Sequence, residues 1–202
     1  MVRMMDSYHN ELRAMFEADQ ADRRAVAART MSQPELNLHD YERRQRLEIL
    51  AADGAIQSAD EYYYAAYLLQ HGTLPEEFRR AHDFAAAAVT RGSRPARWLF
   101  AATLDRWLVA LGKPQQYGTQ YVRIGTHGYA IYEVDPEVSD AERAQYDVPP
   151  LDEQLRALTE KNSGWPVPWV QRLNGKLQII EPEDAPDAGP VHLLIPKDPH
   201  AH

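Results

Sequence analysis

A chain of 202 residues without cysteine has enough length to bury a core and no means of building a disulfide framework, a thiolate nucleophile or a Cys-based zinc site. Thirty acids against 22 bases give a formal net charge of −8, which argues against binding a nucleic-acid backbone. The longest nearly apolar run, Trp98 to Leu111, is broken by Asp105 and Arg106, and the N-terminal segment lacks the apolar core of a signal peptide, so no membrane association and a cytoplasmic location are expected.

The first helix is expected from about Ser7 to Arg29, with Leu12, Met15, Phe16, Asp19, Arg23 and Val26 at helical spacing. Pro34 and the Asn37–Asp40 stretch break that pattern, and a second helix follows from about Tyr41 to Ala52. Ser58 with Glu61 forms a capping-box pattern opening a third helix, which Gly72 would end as a C-cap glycine. Pro75 opens a fourth helix reaching about Arg91, and a fifth runs from about Pro95 to Leu111. The runs Tyr121–Ile124 and Tyr129–Val134 around Thr126-His127-Gly128 predict a hairpin.

Short helices over Asp140–Gln145 and Leu151–Lys161 come next. Residues 162–202 hold seven of the 14 prolines and read as extended chain, with edge strands at Lys176–Ile180 and Val191–Ile195 and disorder in the closing PKDPHAH. The fold class is therefore mainly α: a compact array of about five helices with a small β-hairpin and short C-terminal helices. Residues 1–161 form the helical domain, and 162–202 a proline-rich extension. The basic runs at Arg43, Arg44 and Arg46, at Arg79 and Arg80, and at Arg91, Arg94 and Arg97 read as solvated helix faces.

Polar residues interrupt apolar stripes in three places. Asp19 lies in line with Leu12 and Phe16, and Asp105 with Trp98, Ala101 and Ala102. His71 ends the third helix on the side of Tyr64, Tyr67 and Leu68. A carboxylate at such a position must be paired, hydrogen-bonded or protonated. Asp19 has Arg23 one turn on, and His71 at a helix C-terminus is favoured by the helix dipole, so each has a structural reading as well. The loop Gly112–Gln120 supplies Gln115, Gln116, Tyr117, Thr119 and Gln120. That set suits recognition of a polar small molecule, and equally suits a loop satisfying its own backbone. No phosphate-binding glycine loop, nucleophile elbow or helical His pair is present. No cofactor is expected; a divalent metal would require Asp19, His71 and Asp105 to converge.

These residues fall in blocks that resemble a bacterial family catalogued as domain of unknown function 6624. The blocks are Asp19-Gln20-x-x-Arg23, Gln70-His71, Asp105-Arg106 with Gly112–Gln120, and an Arg143-containing segment within Asp135–Glu153. The resemblance spans roughly residues 8–160. The chain departs from it at Gly72 and Thr73, where the family often carries an acid, and the family name brings no reaction. It implies one shared site built from the first, third and fifth helices and the following loop.

The expected function is that of a small-molecule enzyme of hydrolase or lyase type, using acid–base chemistry in a pocket between helices; hydrolysis, elimination and isomerisation all fit. His71 carries the proton because an ordinary imidazole titrates near neutrality, and Asp19 or Asp105 orients it. Gln20, Arg23, Arg106, Gln116, Tyr117 and Gln120 bind a polar or anionic substrate. The alternative is a non-catalytic ligand-binding or protein-interaction module whose polar cluster is a structural network. Tyr62, Tyr63, Tyr64 and Tyr67 cannot all face one core, so at least one is exposed or lines a pocket, which would also suit a homodimer.

Overall fold

The structure, a computed structural model, describes residues 2–124, 128–173 and 176–180, with residues 2–6 and 173 by backbone course alone. The turn at Thr126-His127, the strand expected at Val191–Ile195 and the closing PKDPHAH lie outside the described residues. The fold is mainly α, with seven helices and a small four-stranded sheet among the described residues. The chain divides into two compact units, Met1–Trp107 and Leu108–His202.

The first unit holds α1 (Val2–Ala27), α2 (Gln33–Ala52), α3 (Ala59–Leu69) and α4 (Pro75–Thr90), together with most of α5 (Ala96–Ala110). α2 starts eight residues earlier than its expected beginning at Tyr41. Ser32 caps it, accepting from the Glu35 N–H while the Glu35 carboxylate takes the Ser32 N–H, and Pro34 sits in the first turn, where its missing N–H costs nothing. The same device opens α3 at Ser58 and Glu61. α3 ends at Leu69, so His71 lies in the turn after it. Gly72 does not take the left-handed conformation of a C-cap glycine. It is small for a different reason: a side chain there would collide with Glu77, whose carboxylate accepts the N–H groups of Thr73 and Leu74 at the start of α4.

The core of this unit joins Leu12, Leu47, Leu50, Leu68 and Leu69 with Ala65 and Ala81. Ala81, Ala85 and Ala88 recur along α4 with no exposure, so that face is smooth enough for α3 to approach closely. On α5 the buried face is Leu99, Ala101, Ala102, Thr103 and Asp105, while Trp98 is exposed.

The second unit holds β1 (Tyr121–Ile124), β2 (Gly128–Tyr132), α6 (Asp140–Gln145), α7 (Leu151–Lys161), β3 (Trp169–Leu173) and β4 (Lys176–Ile180). The strands lie in the order β1-β2-β3-β4, with the first and last pairs antiparallel and β2 parallel to β3 (Ile131 opposite Trp169). β3 was not among the expected strands. It forms because α6 and α7 carry the chain back over the sheet, as a parallel pairing requires. Ile131 packs with Leu158 and Val167 on one face, and Ile124, Ala130 and Val170 pack on the other.

Asn162 after α7 clamps β2: its Oδ1 accepts the Tyr129 N–H at 2.7 Å and its Nδ2 donates to the Tyr129 carbonyl at 2.9 Å. Gly128 permits the clamp, having a φ of 107° and an Asn162 side chain where a Cβ would stand. Gly128→Ala is expected to lose roughly 2–3 kcal/mol in chemical denaturation, combining left-handed strain with the broken clamp. A loss below about 0.5 kcal/mol would mean that the turn relaxes around the methyl group.

Candidate functional site

Five charged residues of α1 and α2 face one another in the first unit. Asp19, 1% exposed, takes a fork from Arg23 on its own helix, with Nη2 to Oδ1 at 2.9 Å and Nε to Oδ2 at 3.1 Å. Arg23 Nη2 also donates to both oxygens of Asp40 at 3.0 Å. Arg43 joins Asp40 (2.7 Å) to Asp22 (2.7 Å) and lies 3.7 Å from Asp19. His39 adds its Nδ1 to Asp22 at 2.9 Å, and Gln20 Nε2 donates to Asp19 Oδ2 at 2.9 Å. Helical spacing explains the assembly. Asp40 and Arg43 share the buried stripe of Leu36, Leu47 and Leu50, so folding α2 onto the core delivers both charges to α1.

His71 comes to this network from the turn after α3. Its Nε2 lies 3.8 Å from Asp19 Oδ2, too long for a hydrogen bond, and is enclosed with no partner. Arg43 Nε is enclosed in the same way. Two further arginines stand close because α3 ends here: Arg44 donates to the His71 carbonyl at 3.0 Å, and Arg106 to the Gln70 carbonyl at 2.7 Å. Cations on the last carbonyls of a helix satisfy its C-terminus. Arg44 is braced in turn by Glu77 at 3.1 Å.

The electrostatics follow from this crowding. Burial drives the His71 imidazole down to about 2, assisted by Arg23, Arg106, Arg43 and Arg44. An imidazole so depressed is neutral near pH 7, where an ordinary imidazole is partly charged. Burial pushes the Asp19 carboxyl up against the pull of Arg23 and Arg43. Burial also pulls the Arg23 guanidinium down, but the carboxylates of Asp19 and Asp40 outweigh it and hold it above its ordinary value. Arg106 is lowered by burial and by the charge of Arg23.

The structure brings Asp19, Gln20, Arg23, His71 and Arg106 together with Asp40, Arg43 and Arg44, which are not among the candidate site residues of the sequence analysis. Arg43 and Arg44 are not on a solvated face: their side chains are 11% and 12% exposed. Asp105 is fully buried, and its negative charge bears on His82, a histidine that the sequence reading passed over. His82 Nδ1 lies 3.2 Å from the Phe100 carbonyl, and burial lowers its pKa. Among the described residues no three His, Asp or Glu side chains are grouped to hold a metal ion, so Asp19, His71 and Asp105 do not form the ligand set that a divalent ion would require.

Gln116, Tyr117 and Gln120 belong to the second unit, where much of the loop's hydrogen bonding goes to its own backbone. Gln115, fully buried, donates from Nε2 to the carbonyls of Gln120 and Tyr132 and accepts the Gln120 N–H on Oε1. Arg143, 3% exposed, holds the carbonyls of Gln116 and Tyr117 along with that of Val138. The Tyr117 ring is buried edge-on to Tyr146. Tyr62, Tyr63, Tyr64 and Tyr67 all stay half-buried on α3.

No family model, curated protein or solved structure matches the chain. No helix among the described residues is long and apolar enough to cross a membrane.

Proposed function

We propose that the first unit binds a small anionic molecule at His71 and that the chain is an enzyme acting on it by acid–base chemistry. The observation that carries this reading is the His71 Nε2, enclosed without a partner 3.8 Å from Asp19. Buried polar atoms are nearly always paired, and leaving one unpaired costs about 1–3 kcal/mol, so such an atom beside a charged cluster points to a site held ready.

Of the two ring nitrogens only Nε2 is enclosed without a partner, and the His71 side chain keeps 18% exposure, so Nδ1 is the nitrogen that meets a ligand. An anion among Arg23, Arg43, Arg44 and Arg106 cancels part of the field that holds the imidazole neutral. The neutral ring then takes a proton from the bound molecule at Nδ1, leaving that molecule deprotonated, and the resulting imidazolium presents Nε2–H to Asp19. Binding and basicity are coupled: the base becomes effective once the anion is seated. The blocks that resemble the domain 6624 family, Asp19-Gln20-x-x-Arg23 and Gln70-His71, fall on the same residues; that resemblance implies a shared site and brings no reaction.

Titration of the full chain with inorganic phosphate and pyrophosphate, followed through the His71 ring protons by NMR, tests the proposal. Saturable shifts and a midpoint raised by more than about one pH unit are expected, and His71→Asn should abolish the response while melting near the wild-type temperature. Ring protons that ignore every small anion offered would sink it. A second reading, a non-catalytic module, is favoured by the completeness of the ion pairing: Asp19, Asp22 and Asp40 each already have an arginine. In that case the network specifies how α1 packs on α2, and the phosphate titration is silent.

A further inference from the structure

We propose that the anion bound at His71 is carried on a flat aromatic or heteroaromatic ring. This rests on the anion-binding reading above and adds the body of the ligand to it. Beside the charged centre runs a continuous line of rings from α1 and α3. Tyr67 stands edge-on to the His71 imidazole, with centroids 5.8 Å apart. Phe16 stands edge-on to Tyr67 at 5.0 Å, and Tyr63 and Tyr64 lie 5.5 and 5.1 Å from Phe16.

The line is joined to the charges through one amide: Gln20 takes the Tyr67 hydroxyl on Oε1 at 3.5 Å and donates from Nε2 to Asp19. Aliphatic neighbours on the same two helices, Leu12, Ala65, Ala66, Leu68 and Leu69, are closed off from solvent, yet all four rings keep partial exposure. Tyr64 packs one side against the Leu12 and Leu68 cluster, and Tyr63 and Tyr67 pack against Ala66, Ala85 and Leu99, so the core takes part of each ring and the remainder is open to solvent. Partly exposed rings that reach the charged centre through Tyr67 offer a surface on which a planar body stacks while its negative group reaches the cations. A bare anion uses only half of this surface. The chemistry that matches both halves is a phosphate or carboxylate attached to an aromatic ring.

Calorimetry of the full chain with inorganic phosphate, phenyl phosphate and cyclohexyl phosphate tests this. Phenyl phosphate is expected to bind about tenfold tighter than inorganic phosphate and several-fold tighter than the cyclohexyl ester, since aromatic contacts add to simple area burial. Phe16→Leu, which keeps apolar volume but removes the ring, should narrow the phenyl-to-inorganic ratio to under about threefold, and Tyr63→Leu serves if the first variant melts early. Equal affinity for phenyl and inorganic phosphate, or a cyclohexyl ester as tight as the phenyl one, overturns the ring while leaving the anion site standing. If none of the three binds, the anion site itself fails and the ring with it.

Discussion

Replacing Arg23 by methionine is expected to destabilise the first unit by about 3–5 kcal/mol, read as a lower urea midpoint at unchanged slope. The size follows from what the guanidinium holds. It supplies two hydrogen bonds to Asp19, a carboxylate with 1% exposure, and two more to Asp40. Without it Asp19 keeps the Gln20 amide and a distant Arg43, so burial pushes its carboxyl further toward the protonated form. Arg23 itself is 28% exposed, which places the effect toward the lower end of the range. Asp19→Leu combined with Arg23→Met should recover much of the loss, because a buried pair is harder to break than to replace by apolar residues. A loss below about 1 kcal/mol in the single variant would show the fork to be an ordinary surface pair.

That network is half legible in the sequence. Asp19 stands out because a carboxylate on the Leu12 stripe has no reason to be there. Asp40 and Arg43 do not: with Pro34 and Asn37–Asp40 as breakers Asp40 falls outside the expected helix, and Arg43 beside Arg44 and Arg46 has the pattern of a solvated basic face. The first turn of a helix tolerates proline, and Ser32 with Glu35 is the same capping box that was recognised at Ser58 and Glu61. Starting α2 there puts Leu36, Asp40, Arg43, Leu47 and Leu50 on one stripe, and the charges then stand out as Asp19 does.

Other losses are of a different kind. That the charge of Asp105 bears on His82, or that Gln115 closes hydrogen bonds to Tyr132, depends on tertiary approach that no local spacing encodes. β3 escaped because Trp169–Leu173 alternates weakly and is fixed by a parallel partner nearly forty residues away, Ile131 opposite Trp169. The acidity of His71 is likewise not in the sequence: a helix-end position alone favours a cation, whereas burial and the surrounding arginines disfavour it.

That reversal has a measurable consequence for stability against pH. In the unfolded chain an imidazole takes its proton near 6.5, whereas in the folded protein His71 holds none until about 2. Between those values the unfolded state binds one more proton, so acidification favours unfolding. The contribution of His71 is complete above pH 6.5 and is lost progressively as pH falls below it, at a limiting slope of about 1.4 kcal/mol per unit. His71→Gln removes the titration and leaves the carboxylates, which then cancel when the two proteins are compared. Between pH 6.5 and 4.5 the wild type should lose roughly 2 kcal/mol more than the variant in urea denaturation. Parallel curves would mean that His71 is protonated in the folded state at these pH values, paired with Asp19 in spite of the four arginines. Added phosphate should flatten the wild-type slope, because an anion in their midst lets the folded protein keep the proton that the unfolded chain takes.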